Sequence, residues 1–245
     1  MARNLPTTTR TTARTVAVWA LAASTIALLL AVTAAAEDVV HVANPGSAKG
    51  YAEWRGRVLD YSGRGLQIEL AGELKRDFPA DQVVRVQTQY TARHIEADDR
   101  FARDQFAPAA ALYGEARSTE TRPWVRRLIT AQLVWCYRAL GEVELAGGEF
   151  LLLIRDDPAT PYFHCIPLAW IPSEPGRDLQ RAAREWLRRD EMPAATLLGA
   201  SHLILAGGGS HQAALDKLTR LATNRDSNVA FLALAQTWRI TAITD

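Results

Sequence analysis

The sequence predicts a mainly α chain in three parts: an apolar leader, a small antiparallel β barrel or sheet, and a long array of helical hairpins. Three observations predict it. Residues 17–36 hold no charge. The apolar residues of 51–89 recur at every second position between Gly-containing turns. From Tyr90 onward the apolar period becomes helical, and one spacing of small and bulky residues returns along the chain. The 245 residues are 48% hydrophobic and 22% charged, which is the balance of a folded chain with a core.

The leader comes first. A basic, Thr-rich stretch is followed by AVWALAASTIALLLAVTAAA at 17–36 and then by Glu37 and Asp38. Charge, apolar run and small residues in that order are the pattern of a secretory signal peptide, with Ala34-Ala35-Ala36 as the cleavage site. The run of about 20 residues is also long enough to span a bilayer as an uncleaved anchor. Both readings place the body outside the cytoplasm, in the cell envelope or beyond it, and the second makes the membrane a partner through residues 1–36. The leader carries Arg3, Arg10 and Arg14 and no acid. Removing those three charges from the chain's +1 leaves −2 for the rest. A body of that charge offers nucleic acid no basic face, so no nucleic-acid partner is expected. Cys136 and Cys165 read either as a disulfide, which an oxidising compartment permits, or as two buried thiols.

Residues 37–50 (EDVVHVANPGSAKG) read as a linker, or as a first edge strand entering a loop. Over 51–89, Trp54, Val58 and Leu59 lie among polar residues, and Ser62-Gly63-Arg64-Gly65 marks a turn. Leu66, Ile68 and Leu70 then alternate with Gln67 and Glu69 up to a second turn at Ala71-Gly72-Glu73. Phe78-Pro79 precedes Val83, Val84 and Val86. This predicts three or four short strands in a small barrel or curled sheet. The order Gly-x-Val, Leu-x-Ile, Pro-x-x-x-Val resembles the SH3-like and Sm-like barrels over about a sixth of the chain. The Sm-like form of that resemblance implies RNA binding, but no basic or aromatic platform accompanies it.

Residues 90–245 carry the repeat. Phe106, Ala109, Tyr113 and Ala116 give one instance. Tyr137, Gly141, Ala146, Phe150 and Pro158 give a second, and Leu198, Leu205, Gly209, Ala214, Leu218 and Leu221 a third. In each, a small residue lets two helices approach and a bulky residue one turn later fills the gap. The small residues Ala109, Ala146 and Ala214 are 37 and 68 positions apart. These spacings resemble the tetratricopeptide pattern, whose unit is about 34 residues. The unit between Ala146 and Ala214 is broken by a Pro-rich loop over 161–176, with a helix only at 178–189. Another echo runs Thr119, Val125, Leu128, Ala131, Gln132, and recurs 104 positions later as Thr223, Val229, Leu232, Ala235, Gln236. Departures are plain: Thr130 stands where that family usually has Trp, no unit is complete, and HEAT-like hairpin packing stays open. The final helix is expected either to cap the stack or to present a face to a partner or to further chain.

The search for chemistry returns little, so no catalytic residue, cofactor or metal site is expected. Gly207-Gly208-Gly209 reads as an interhelical turn. The five histidines, at 41, 94, 164, 202 and 211, include no i, i+4 pair. Ser201 and His202 are adjacent on a helix and point about 100° apart, so they form no nucleophile–base pair. Glu96, Asp98 and Asp99 read as helix-start acids favoured by the dipole. The one partner-binding cluster is Arg122, Trp124, Arg126 and Arg127, because arginines beside an aromatic suit a carboxylate or peptide, though a solvated face with Glu115 and Glu120 as counterions explains them too. The apolar segment YFHCIPLAW at 162–170 reads as a core plug or an exposed docking loop. The function expected is a non-catalytic scaffold or adaptor that binds a protein or peptide on a helical repeat surface. The alternative is an accessory domain of a cell-envelope enzyme, with a site between the β module and the first hairpin.

Overall fold

The computed structural model describes residues 37–171, 175–204 and 209–244, with side chains described to Arg239. The leader expected over 1–36 lies outside them, as do Leu205, Gly207 and Gly208. Five antiparallel strands come first: β1 (Asp38–Ala43), β2 (Tyr51–Ser62), β3 (Gly65–Glu69), β4 (Lys75–Phe78) and β5 (Val83–Gln87), in the order β4-β3-β2-β1-β5. A 3-10 turn at Ala80–Gln82 joins β4 to β5.

The segment read as a linker or an edge strand is therefore an interior strand. Val40 and Val42 point into the core, while β1 pairs β2 from Asp38 opposite Gly56 to Ala43 opposite Tyr51, and pairs β5 on its other side. Six residues with period two do not reveal how many neighbours they have. That depends on β5, more than forty positions away in the chain.

The sheet curls because β2 serves two partners. Its first half pairs β1 and its second half pairs β3, with a register shift between Val58 and Asp60. Bulges of this kind sharpen local twist. At the changeover a Cβ on Gly56 would lie 2.2 Å from the Glu69 carbonyl oxygen, so only glycine lets the two strands close there. Val58, Tyr61, Leu66, Ile68 and Phe78 fill the inner face.

Eight α-helices follow among the described residues: α1 (Ala92–Ala102), α2 (Phe106–Thr119), α3 (Pro123–Ala139), α4 (Val143–Asp156), α5 (Arg177–Leu187), α6 (Pro193–Leu203), α7 (Gly209–Leu221) and α8 (Ser227–Thr244). Each packs on its successor, α4 on α5 more sparsely across the long connection 157–176. Thr91 caps α1 by accepting the His94 amide, whereas Glu96, Asp98 and Asp99 lie beyond the first turn. The acids expected to serve the helix dipole instead meet neighbouring side chains: Glu96 and Asp99 pair with Arg93 and Arg103 one turn away. Gly141, at φ 76°, ends α3 in a Schellman turn: its amide bonds the Arg138 carbonyl and the Glu142 amide bonds the Tyr137 carbonyl.

Ala109, Ala146 and Ala214 are all 0% exposed, and Tyr113, Phe150 and Leu218, one turn later, are buried with them. Both positions of the small-then-bulky spacing read from the sequence are thus buried in all three helices. Burial falls into two clusters. The sheet shares the first with α1, α2 and α3, through Val40, Leu66, Ile68, Tyr113, Trp124 and Ile129. The second joins α4 to α8 with Ala131 and Val134 of α3.

The 162–170 segment plugs this second cluster. Phe163, Cys165, Ile166 and Leu168 are buried, and Phe163 meets Phe150 edge-on at 5.6 Å. His202 Nε2 lies 2.8 Å from the Pro167 carbonyl oxygen, and Arg239 donates to the Ala169 carbonyl. Within the segment His164 and Trp170 are exposed, as is Ile171 just beyond it. Cys136 and Cys165 are free and buried, one in each cluster. Among the described residues no helix is long and apolar enough to cross a membrane.

Two glycine substitutions test the packing. A Cβ on Gly199 would lie 2.5 Å from both the Ala183 carbonyl oxygen and the Leu187 amide nitrogen, so Gly199→Ala must push α6 off α5. Nothing lies within 4 Å of the same probe at Gly148 on α4. Urea unfolding should show Gly199→Ala destabilised by about 1–3 kcal/mol. Gly148→Ala should be stabilised by about 0.5–1 kcal/mol.

Candidate functional site

The four residues singled out in the sequence sit at the turn from α2 into α3, and the structure divides them into two pairs. Arg122 faces the sheet. Its guanidinium donates to Glu120, to Thr88 Oγ1 at 2.8 Å and to the Gln89 carbonyl at 3.1 Å. It thereby straps the β5–α1 connection to the α2–α3 turn. The bond to Arg122 holds the Glu120 carboxyl below its usual range, and Glu120 in turn raises the guanidinium. Trp124 is 1% exposed and belongs to the core under the sheet.

Arg126 and Arg127 lie on the other side, against a cleft of about 450 Å³. Arg117 from α2 and Arg155 from α4 join them, with Thr130, Leu153 and Asp156 between. Two of these arginines are fixed. Arg117 forks onto the Glu149 carboxylate and reaches Thr130 Oγ1 at 3.5 Å. Arg127 donates to Asp60 on β2 and to the Tyr61 carbonyl at 3.0 Å, and its Nε is buried with no acceptor among the described residues. The other two are available. Arg126 is exposed and makes no side-chain bond within the described residues, and Arg155 has only its chain neighbour Asp156 at 3.7 Å.

The cleft thus presents two positioned guanidinium groups, whose charges are balanced, and two exposed ones without a close carboxylate partner. That arrangement suits a carboxylate, because a guanidinium fork matches its two oxygens. A nucleophile is not set up: the Thr130 hydroxyl donates to the Arg126 carbonyl at 2.9 Å, and no His or Cys lines the cleft. Burial pushes the thiols of Cys136 and Cys165 up to about 12, so both stay protonated. Among the described residues no group of three His, Cys, Asp or Glu side chains could hold a metal ion.

Sequence reading missed Arg117 and Arg155. They lie in different helices, 38 positions apart, and only the packing of α2, α3 and α4 brings them together. The signal that existed was an arginine near the C-terminal end of each hairpin's second helix, a common placement in any helix.

A second polar cluster lies near the junction of the sheet and α1. His94 is 0% exposed, with its ring tilted against Tyr90 at 4.1 Å and edge-on to Tyr113 at 5.7 Å. Asp98 lies 3.7 Å from His94 Nε2 and accepts from the Tyr113 hydroxyl at 2.6 Å and from Gln132 at 3.0 Å. Asp98, Tyr113 and Gln132 bind one another, while both ring nitrogens of His94 are buried without a hydrogen-bond partner among the described residues. Comparison of the chain with protein-family models, with curated proteins and with solved structures gives no match.

Burial lowers the pKa of His94 and of His202 from the ordinary 6.5, so both are neutral in the native state. Above pH 6.5 they are neutral in the unfolded chain too, and their contribution to stability is complete. As pH falls below 6.5 toward the depressed native values, the unfolded chain takes up protons first and stability is lost. The slope is at most about 1.4 kcal/mol per pH unit for each histidine. Urea midpoints measured across this range should fall with pH, and His94→Phe should flatten the fall by about one proton.

Proposed function

We propose that the chain is a non-catalytic scaffold or adaptor, exported or membrane-anchored, that holds an acidic stretch of a protein or peptide partner in the arginine-lined cleft of a tetratricopeptide-like hairpin array. One observation carries this reading. Arg126 and Arg155 face a shared cleft without balancing carboxylates of comparable reach, beside two guanidinium groups already fixed by Glu149 and Asp60. Positioned donors lower the ordering cost of binding, and unbalanced charge draws an anionic ligand.

The repeat reading is supported by the burial of Ala109, Ala146 and Ala214, each with a buried bulky residue four positions on. An SH3-like reading of the sheet is supported by its strand order and by the 3-10 turn between β4 and β5. The leader's composition supports export. An accessory role beside an envelope enzyme, with a site at the junction of the sheet and the first hairpin, has weaker support, because Asp98, Tyr113 and Gln132 there are engaged with one another.

Calorimetry with a glutamate-rich peptide tests the cleft. The charge-reversed variant Arg126→Glu/Arg155→Glu should bind at least tenfold more weakly, with thermal unfolding little changed because both side chains are exposed. Equal binding by the variant sinks the assignment. N-terminal sequencing of the native protein tests export. A start at Glu37 marks cleavage, and an intact start in the membrane fraction marks an anchor. An intact chain in the cytosol overturns both.

A further inference from the structure

The arginine cleft does not end at its own wall. Arg155 also lines a second cleft of about 290 Å³. The floor of this one is apolar: Ile154, Phe163 and Val229 are 5%, 5% and 1% exposed. Half-buried Met192 and exposed Pro158 also line it, together with the carboxylate-bearing Glu191 and Asp226. The two clefts are walled by successive residues of one stretch of chain, Leu152, Leu153 and Asp156 on one side and Ile154 and Pro158 on the other, with Arg155 shared. Ile154 lies roughly 100–160° round the helix from Leu152, Leu153 and Asp156, so the two clefts flank the C-terminal end of α4 and its width of about 10 Å separates them. An extended peptide crosses such a distance in roughly three residues.

We propose that the two clefts are consecutive subsites of one groove, and that its ligand is an extended segment of a protein partner with an acidic residue and, about three positions away, a large apolar side chain. The acidic residue sits among Arg117, Arg126, Arg127 and Arg155. The apolar side chain enters the pocket floored by Ile154, Phe163 and Val229, where a single anchor side chain removes apolar surface from water. This rests on the reading of the arginine cleft given above and adds the second subsite and the spacing. The chain's own residues 1–36 do not fit the occupant, because they carry three arginines and no acid. A polyanion does not fit either: residues 37–245 carry a net −2, which gives no long-range attraction, and a bare anion leaves the apolar floor unused.

The test uses the full chain and three fluorescent peptides, Ac-GEEGSFGG-NH2 and its Phe-to-Ala and Glu-to-Gln counterparts, read by anisotropy. Wild type should bind the parent peptide at least tenfold more tightly than either counterpart. Met192→Glu places a carboxylate at the apolar pocket and should abolish the Phe/Ala difference while keeping the Glu/Gln difference. Pro158→Trp, at an exposed position, should act in the same way by narrowing the pocket. Arg126→Gln should reduce the Glu/Gln difference and spare the Phe/Ala one. Equal binding of the Phe and Ala peptides by wild type overturns the second subsite and leaves the arginine cleft standing. So does a Phe/Ala difference that survives both pocket variants. Displacement of the acidic peptide by inorganic phosphate, with no effect of Phe, marks a simple anion site and also overturns the proposal. Loss of the Glu/Gln difference in wild type removes the arginine reading itself.

Discussion

Helix α3 is buried on two sides, and the rest of the molecule is organised by that constraint. Trp124, Val125, Ile129, Leu133 and Cys136 face the core shared with the sheet, while Ala131 and Val134 face the helical cluster beyond. A helix packed in this way exposes only a narrow strip, and near its first turns that strip carries Arg126, whose carbonyl accepts the Thr130 hydroxyl one turn on. The sheet is held in register with α3 by polar links at its edges. Arg127 reaches Asp60 and the Tyr61 carbonyl, Arg122 reaches Thr88, and buried Asp157, just past α4, accepts the Gly63 amide at 2.9 Å. Removing one partner of such a part-buried link costs more than the link contributes, because the other group is left without a counterpart. The β module is therefore fixed to the second hairpin and does not act as a loose spacer.

The same links decide which arginines can recognise a ligand. Arg127 and Arg122 are occupied in joining sheet to helix, and Arg117 in joining α2 to α4 through Glu149. Their side chains have already lost most of their rotamer freedom on folding, so a ligand meets them at little further entropic cost. Arg126 and Arg155 are exposed, and within this cleft they hold the charge without a close counterion. In the proposed site the fixed groups would give direction and the exposed, unbalanced ones attraction. Neither set suffices alone, since a balanced pair draws no anion from a distance and a mobile surface arginine binds one loosely.

What was legible in the sequence was local and periodic. Ala109, Ala146 and Ala214 are fully buried, as a small residue on the apolar face of a tightly packed helix is expected to be, and that much is readable from local spacing. The Pro-rich loop over 161–176 was legible for a similar reason, and α5 begins at Arg177. What was illegible was non-local. The interior position of β1 depends on β5, and the partnership of Arg117 with Arg155 depends on three helices packing together. Arg122 and Trp124 looked like binding residues because chemistry at a helix start is ambiguous on paper. Only the sheet, which covers Trp124 and receives Arg122, makes them structural.

The 104-residue echo between α3 and α8 shows how much of that distinction is set by neighbours. Val125 and Val229 are both buried, and Leu128 and Leu232 are both half-buried, so the two helices lie in their surroundings with the same inward face. Their outward faces differ. Phe231, Leu234 and Trp238 are 69%, 38% and 66% exposed, and they stand at the positions of Arg127, Thr130 and Val134. In α3 those three positions are covered or engaged: Arg127 by β2, Thr130 by the arginine cleft, Val134 by the second core. In α8 the same face carries larger apolar groups, and no later helix packs on it among the described residues. A single exposed apolar residue is ordinary, but three at spacings of three and four make a stripe along one side of a helix. The stripe follows the same helical periodicity that buries the matching face of α3, and in α8 that face stays exposed among the described residues.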